Sequence, residues 1–220
     1  MKLGTPSGPR SSWYACVAAL FFALAAPARA QMATLEGTVL VPGGRAGGIV
    51  VALVPDGAPS AVFAPVIASI DQRGLRFIPQ VVAVPRGSVV TFPNSDPVLH
   101  NIFLVDEQRV RTDLGTFPSG EARQVTLGDL GTYLVMCHLH PEMVASVVVL
   151  DTPFSTVSDS VGRFRLDSVP PGAYRVVLRH RRFFAPDQPL TLAAGETRRV
   201  RLVLGTIPRR PAPPRTGSLP

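Results

Sequence analysis

The chain has 220 residues, a length that accommodates one or two domains. Hydrophobic residues make up 46% of it and charged residues 17%, which is enough apolar material for a core over much of the length. The net charge of +7 does not indicate nucleic-acid binding, because no aromatic residues alternate with the dispersed arginines. Val, Pro and Gly are abundant and long helix-forming runs are missing, so the composition predicts an all-β protein.

The first 30 residues have the pattern of a secretory signal peptide. Lys2 and Arg10 make the start positive, Trp13–Ala26 is an apolar run, and Ala28 and Ala30 form an A-x-A cleavage pattern. An uncleaved membrane anchor is the alternative, but the run is shorter than the roughly 20 residues that span a bilayer. We therefore expect cleavage after Ala30, a periplasmic or secreted protein, and no stable membrane insertion afterwards.

Cleavage would leave one cysteine in an oxidising compartment. Of the two cysteines Cys16 is lost and Cys137 stays, and the net charge falls from +7 to +4 because Lys2, Arg10 and Arg29 leave without any acidic residue. Exported domains normally pair their cysteines. A single thiol there is a liability unless something occupies it, and a metal is one such occupant.

The rest of the chain consists of short β-like runs separated by turns rich in Gly and Pro. Two runs, Thr34–Val41 and Gly48–Val54, come first. Short β-rich runs follow over residues 61–92, and a nine-residue loop, 93–101, then leads into Ile102–Val105. A turn-rich segment that begins at Asp113 precedes an alternating run, Glu121–Leu127. Further strands are expected on either side of residues 135–143. Seven or eight strands over residues 61–151 predict a sandwich or barrel.

The stretch "VMCHLHPEM" (135–143) brings four metal-binding side chains together. Cys137, His140 and Met143 are spaced C-x-x-H-x-x-M, and two His, one Cys and an axial Met are the ligands of a blue-copper site. Zinc is disfavoured, because it rarely takes a methionine. His100 precedes a strand 37 positions upstream and is the candidate for the missing ligand. His138 competes with it, but strand alternation points His138 to the opposite face from Cys137.

Two segments resemble the cupredoxins, the family of plastocyanin and amicyanin, and most closely its methylamine-utilisation branch. They are "FIPQVVAVPRGSVVTFPNSDPVLHNIF" and "GTYLVMCHLHPEMVASVVVL", within about 75–151. The resemblance implies a Greek-key β-sandwich with one type 1 copper per chain. It implies as ligands His100, Cys137, His140 and Met143. It further implies that Asn101 ties the two ligand loops together by hydrogen bonds, whereas Asn94 matches a family position but is first of all a turn residue.

A different segment, "DSVGRFRLDSVPPGAYRVVLRH", resembles the carboxypeptidase regulatory-like, transthyretin-like β-sandwich. Residues 152–204 alone would make a thin core, and such modules commonly open with a strand pair like that in residues 31–55. Our hypothesis is that these two segments form one small sandwich with the cupredoxin domain, 61–151, inserted between them. The alternative places 31–55 at the edge of the cupredoxin. Residues 205–220 are rich in Pro and Arg and are predicted to be disordered.

The resemblance implies an exported carrier of single electrons between redox partner proteins, with no enzymatic activity. The four histidines of the chain, two already assigned, are too few for the second copper centre of a copper enzyme. Copper binding, storage or delivery is the first alternative function. A structural or carbohydrate-binding β module is the second. No oligomeric state is predicted.

Overall fold

A computed structural model describes residues 31–43, 47–57 and 63–206, and every regular element in these ranges is a β-strand. The all-β prediction is therefore confirmed for this part of the chain. The predicted signal peptide and residues 207–220 lie outside the described ranges. Gly205–Thr206, predicted as the start of a disordered tail, form a short strand instead. The described residues contain no helix that is long and apolar enough to cross a membrane.

Ten strands build what we call the central module. They are β3 (Ile67–Ser69), β4 (Asp71–Gln72), β5 (Phe77–Ile78), β6 (Val81–Pro85), β7 (Ser88–Pro93), β8 (His100–Val105), β9 (Arg111–Phe117), β10 (Ala122–Leu127), β11 (Gly131–Met136) and β12 (Val144–Leu150). Two sheets, with strand orders β10-β7-β3 and β6-β12-β11-β8-β9, enclose one core, and β4 and β5 form a small hairpin. In β7 the buried residues Ser88, Val90 and Phe92 alternate with half-buried ones, as expected of a strand that covers a core with one face.

The remaining strands form the flanking module. They are β1 (Ala33–Leu40), β2 (Val50–Pro55), β13 (Ser155–Val157), β14 (Arg163–Val169), β15 (Gly172–Arg179), β16 (Phe183–Phe184), β17 (Gln188–Leu192), β18 (Thr197–Val203) and β19 (Gly205–Thr206). Strand orders β14-β1-β18 and β13-β2-β15-β17 define its two sheets, and β16 pairs with β19. In β14, Arg163 and Arg165 face solvent, while Phe164 and Leu166 are buried in the core.

The first two strands of the chain pair with the last strands. β1 lies between β14, to which it is antiparallel, and β18, to which it is parallel, while β2 is antiparallel to β15. Val39 and Val51 share one buried cluster with Phe164 and Tyr174. This packing supports the hypothesis of an inserted domain, and not the alternative that residues 31–55 lie at the edge of the cupredoxin. We therefore propose that the central module is inserted into the flanking module.

The two modules touch through a second apolar cluster. Its buried members are Val50 and Ala52 of β2, Val148 and Leu150 of β12, and Val177 of β15. Alternate residues of β2 and β12 face the cores of their own modules. Both strands are thus buried on two faces, which explains why "VVAL" and "VASVVVL" are continuous apolar runs without alternation.

Candidate metal centre

The predicted metal-binding residues meet at one end of the central module. His100 is the first residue of β8, and Cys137 follows the last residue of β11. His140 and Met143 lie in the loop that connects β11 to β12. His100, Cys137 and Met143 are buried, and His140 is half-buried. A hairpin end and the start of a neighbouring strand therefore gather residues that are 37 to 43 positions apart in the chain.

Three donor atoms converge at this point. The Nδ1 atoms of His100 and His140 are 3.1 Å apart, and each lies 3.9 Å from Sγ of Cys137. Donor atoms that share one ion at bond lengths of about 2.0 to 2.3 Å must lie roughly 3 to 4 Å from one another. Two imidazoles and a thiol at this spacing fit a metal ion that binds nitrogen and sulfur.

The loop between Cys137 and Met143 is compact. The backbone N–H of Met143 donates a hydrogen bond of 2.9 Å to the carbonyl of His140, which closes a turn over Pro141 and Glu142. The Met143 side chain is 1% exposed and belongs to the same core cluster as Cys137. This turn fixes the backbone between His140 and Met143.

His100 is oriented by a buried carboxylate, Asp96. His100 Nε2 lies 2.9 Å from Asp96 Oδ2 and donates to it, so that Nδ1 is left to face the donor cluster. Asp96 itself accepts backbone N–H bonds from Gly74, at 2.5 Å, and Leu75, at 2.9 Å. Burial raises the pKa of Asp96, but the bonds from Leu75, His100 and Gly74 outweigh it, and the pKa lies below its usual value. The carboxylate is therefore a charged, fixed anchor for the imidazole.

Asn94 holds the loop that carries Asp96. Its Oδ1 accepts the backbone N–H of Asp96 at 3.0 Å, and its Nδ2 donates to the carbonyls of Val98 and Phe117 at 2.8 and 3.3 Å. The side chain is 1% exposed. Asn94 thus performs the turn role expected of it, one step removed from the donor cluster.

Asn101 connects Cys137 to β9. Its backbone N–H donates to Cys137 Sγ at 3.4 Å, and its side-chain Nδ2 donates to Asp113 Oδ1 at 3.0 Å. The N–H of Gly115 also donates to this oxygen. The pKa of Asp113 lies below its usual value, because the bond from Gly115 lowers it most and Asn101 and Arg111 lower it further, while burial acts in the opposite direction. The backbone of Asn101 links β8 to the cysteine, while its side chain turns to β9 and not to residues 138–143.

His138 lies outside the donor cluster. It is exposed and stacks on Phe103, with ring centroids 4.2 Å apart and an angle of 15° between the planes, and its Nε2 contacts Arg111. The buried Cys137 and the exposed His138 thus point to opposite sides of the chain, as strand alternation predicts.

Asp96 and Asp113 are the two site residues that sequence reasoning missed. The four-residue spacing in Asp96-x-x-x-His100 was a usable signal, since it can bring a carboxylate to the outer nitrogen of a ligating histidine. Asp113 gave a weaker signal, because it lies in a segment that reads as a turn. The register shift between Ile102 and Phe103 opposite it marks a bulge in β9.

Comparison with known families agrees with this arrangement. Residues 64–150 match the model of copper binding proteins of the plastocyanin/azurin family. The central module is a cupredoxin domain. Residues 143–205 match the carboxypeptidase regulatory-like domain, so the flanking module carries that second resemblance. The two matches overlap at 143–150, which is β12 and its approach, and this strand pairs with β6 and β11 of the cupredoxin domain.

Several solved structures are similar to the cupredoxin domain. A reduced Cu(I) form of an amicyanin variant has 24% identity and a TM-score of 0.36, over 46% of this chain and 98% of that chain. A purple cupredoxin from Nitrosopumilus maritimus has 24% identity and a TM-score of 0.35, over 38% and 99%. Amicyanin from Paracoccus versutus has 19% identity and a TM-score of 0.35, over 44% and 91%. The search of curated proteins found no match.

The family match and the donor atoms both indicate copper as the cofactor. The family binds copper, and two Nδ1 atoms with a buried thiol, next to a buried methionine in the same short loop, fit a type 1 copper site.

Proposed function

We propose that this protein is an exported carrier of single electrons, with His100, Cys137, His140 and Met143 as the ligands of one type 1 copper ion. The observation that carries the proposal is the convergence of His100 Nδ1, His140 Nδ1 and Cys137 Sγ, with separations of 3.1 and 3.9 Å. When bound, copper supplies one-electron exchange between its Cu(I) and Cu(II) states.

The hydrogen bonds around the donors favour electron transfer over copper delivery. His100 is held by Asp96, and Asp96 is held by two backbone N–H groups. Cys137 receives the N–H of Asn101. A donor set that is fixed in this way changes little between the two oxidation states, which keeps the reorganisation energy small. A delivery site, by contrast, must open its ligands to a receiving protein.

The exposed side of the site supports contact with a redox partner protein. His140 is only half-buried, and two apolar residues beside the histidines, Leu99 and Leu139, are 53% and 50% exposed. Apolar surface next to a partly exposed ligand allows a partner to approach and exclude water. His140 is the one proposed ligand that is not buried, so its imidazole is the contact through which an electron would pass to the partner.

Export and the lack of enzymatic activity belong to the same proposal. A thiol such as Cys137 in an oxidising compartment is protected when it ligates copper. An electron carrier needs one metal centre, and the described residues bring His100, Cys137 and His140 together at one point.

Voltammetry together with chelator competition separates the two copper functions. We expect protein loaded with one equivalent of copper to give a reversible one-electron wave, and to release its Cu(I) only slowly to a Cu(I) chelator. His138→Gln serves as the matched control, because this exposed histidine lies outside the cluster, and its wave should be unchanged. Absence of a reversible wave combined with rapid transfer to the chelator would instead establish copper delivery.

A further inference from the structure

A cleft of about 430 Å³ lies between the two modules. Its walls come from both of them: Val81, Thr132 and Ser146 belong to the cupredoxin domain, while Val157 and Arg181 belong to the flanking module. This volume lies in the range of small-molecule sites, which often occur at domain interfaces. None of the four proposed copper ligands lines the cleft.

The charged residues that line the cleft are basic. Arg179 and Arg181 both contribute, and no aspartate or glutamate does. Arg179 is engaged with the carbonyl of Leu178 at 3.0 Å and with Asp187 at 3.5 Å. Arg181 is exposed, and no hydrogen bond or ion pair joins its guanidinium to another residue of the described chain. Among the described residues, none competes with a ligand for the Arg181 guanidinium.

His180 lies beside the arginines of the cleft. It lines the cleft and stacks on Phe183 with ring centroids 5.0 Å apart. Burial lowers the pKa of His180, and the positive charges of Arg181 and Arg182 lower it further. The lowered pKa keeps the imidazole neutral at pH 7, so the positive charge at the cleft comes from the arginines.

The lining of the cleft combines apolar side chains with polar ones, of which Ser146 lies beside the valines. Val148 and Ser146 lie on the same face of β12, and Val81 and Val157 line the cleft beside them. Ser146 is 7% exposed, and its hydroxyl has no hydrogen-bond partner among the described residues, although its backbone N–H donates to Gln80. The hydroxyl is not one of the fully enclosed polar atoms, so a ligand oxygen can replace water as its hydrogen-bond partner.

We propose that this cleft binds a small monocarboxylic acid with a hydrocarbon body. The carboxylate pairs with the guanidinium of Arg181 at the rim, since one free Arg fork matches one planar, singly charged anion. The hydrocarbon body lies against Val81, Val148 and Val157. The proposal does not involve the copper site.

Octanoate is the probe, with 1-octanol as the neutral analogue and inorganic phosphate as the anion without an apolar part. Titration of the purified, copper-loaded protein should shift the amide resonances of Val144–Val148 and Arg179–Arg181 with octanoate. Octanol and phosphate should each bind at least about tenfold more weakly, because each lacks one of the two interactions.

Two charge-matched variants locate the anion. Arg181→Gln should weaken octanoate binding about tenfold, through loss of a charge-assisted pair. Arg201→Gln removes the same charge from exposed β18, away from the cleft, and should change binding less than about twofold. Equal weakening in both variants, equal affinity for octanoate and octanol or phosphate, or an absence of shifts at the cleft residues would each overturn the proposal. The voltammetric wave is expected to persist in every variant, so that failure here is distinguishable from failure of the copper assignment.

Discussion

Asp96 connects the donor cluster to a loop that contributes no ligand. Its carboxylate bonds to His100 Nε2 while Gly74 and Leu75 supply backbone N–H groups from the turn between β4 and β5. The orientation of one proposed ligand thus depends on a turn more than 20 residues upstream. A negative charge on the outer nitrogen of an imidazole makes the inner nitrogen a stronger donor.

Asp96→Asn should therefore weaken copper binding by roughly 10- to 100-fold and raise the reduction potential. The potential rises because removal of the negative charge stabilises Cu(I) relative to Cu(II). Copper competition titration and voltammetry measure the two effects. Asp167→Asn, which removes an exposed carboxylate of the flanking module, is the control and should leave both unchanged. An unchanged potential in the Asp96 variant would show that the carboxylate only fills space.

The sequence predicted the proposed ligands better than it predicted the hydrogen bonds that hold them in place. Cys137, His140 and Met143 are close in the chain, so their spacing alone indicated a metal-binding loop. His100 required the assumption that two strands are neighbours, and β8 does pair with β11. The bonds of Asp96 to Gly74 and Leu75 could not be predicted, because they depend on the path of a loop and not on any periodicity.

At the scale of the strands, β1 shows how closely the flanking sheet is packed. A Cβ on Gly37 would lie 2.0 Å from the backbone carbonyl oxygen of Val200 and 3.2 Å from the Phe164 ring. β1 is the middle strand of its sheet, with β14 on one side and β18 on the other. Neither neighbour can move away without losing its ladder of hydrogen bonds.

Gly37→Ala should accordingly destabilise the protein by about 3 kcal/mol, because the added methyl group meets backbone. Urea denaturation followed by circular dichroism measures the change. Gly128→Ala is the matched control: a Cβ there meets nothing within 4 Å, and we expect a change below about 0.5 kcal/mol. Equal stability of the two variants would mean that β1 is not held between β14 and β18 as described.

The pattern of alternation predicted most strands but missed β9. The segment around "DLGTF" reads as a turn, because Asp and Gly are both disfavoured in strands. In the structure Gly115 has a φ of +83° at a bulge, and Asp113 accepts bonds from Gly115 and Asn101. Asp113 and Gly115 are therefore accommodated by a bulge within β9, and the prediction of a turn at these residues was wrong.

At the scale of the whole molecule, β2 and β12 join the two modules. Val148 is 3% exposed and packs with Val50, Ala52 and Val177 across the boundary. Burial of one such valine contributes about 2 kcal/mol. We expect the two modules to unfold together as a result.

Val148→Asp should separate the unfolding of the two modules. An unpaired carboxylate in the contact costs several kcal/mol, so two transitions are expected in calorimetry in place of one. Val203→Asp adds the same charge at a site that is 57% exposed, and should keep one transition with nearly the same midpoint. A single cooperative transition in the Val148 variant would contradict a stabilising role for this contact.

The sequence alone suggested the proposed order of the modules along the chain, but it did not indicate where the modules touch. The opening pair of strands resembled the start of the flanking module, which suggested insertion. The continuous apolar runs of β2 and β12 are typical of strands that are buried on both faces, but such runs do not identify the neighbouring module. Only three-dimensional packing assigns Val148 to the boundary and Val147 to the cupredoxin core.

Visible absorption of the copper-loaded protein tests the proposed function most directly. With Cu(II), we predict an intense thiolate-to-copper charge-transfer band in the wild-type protein and in His138→Gln, and its complete loss in Cys137→Ala. A wild-type protein that binds Cu(II) without this band, or a Cys137→Ala variant that keeps it, would contradict the assignment of a type 1 copper electron carrier.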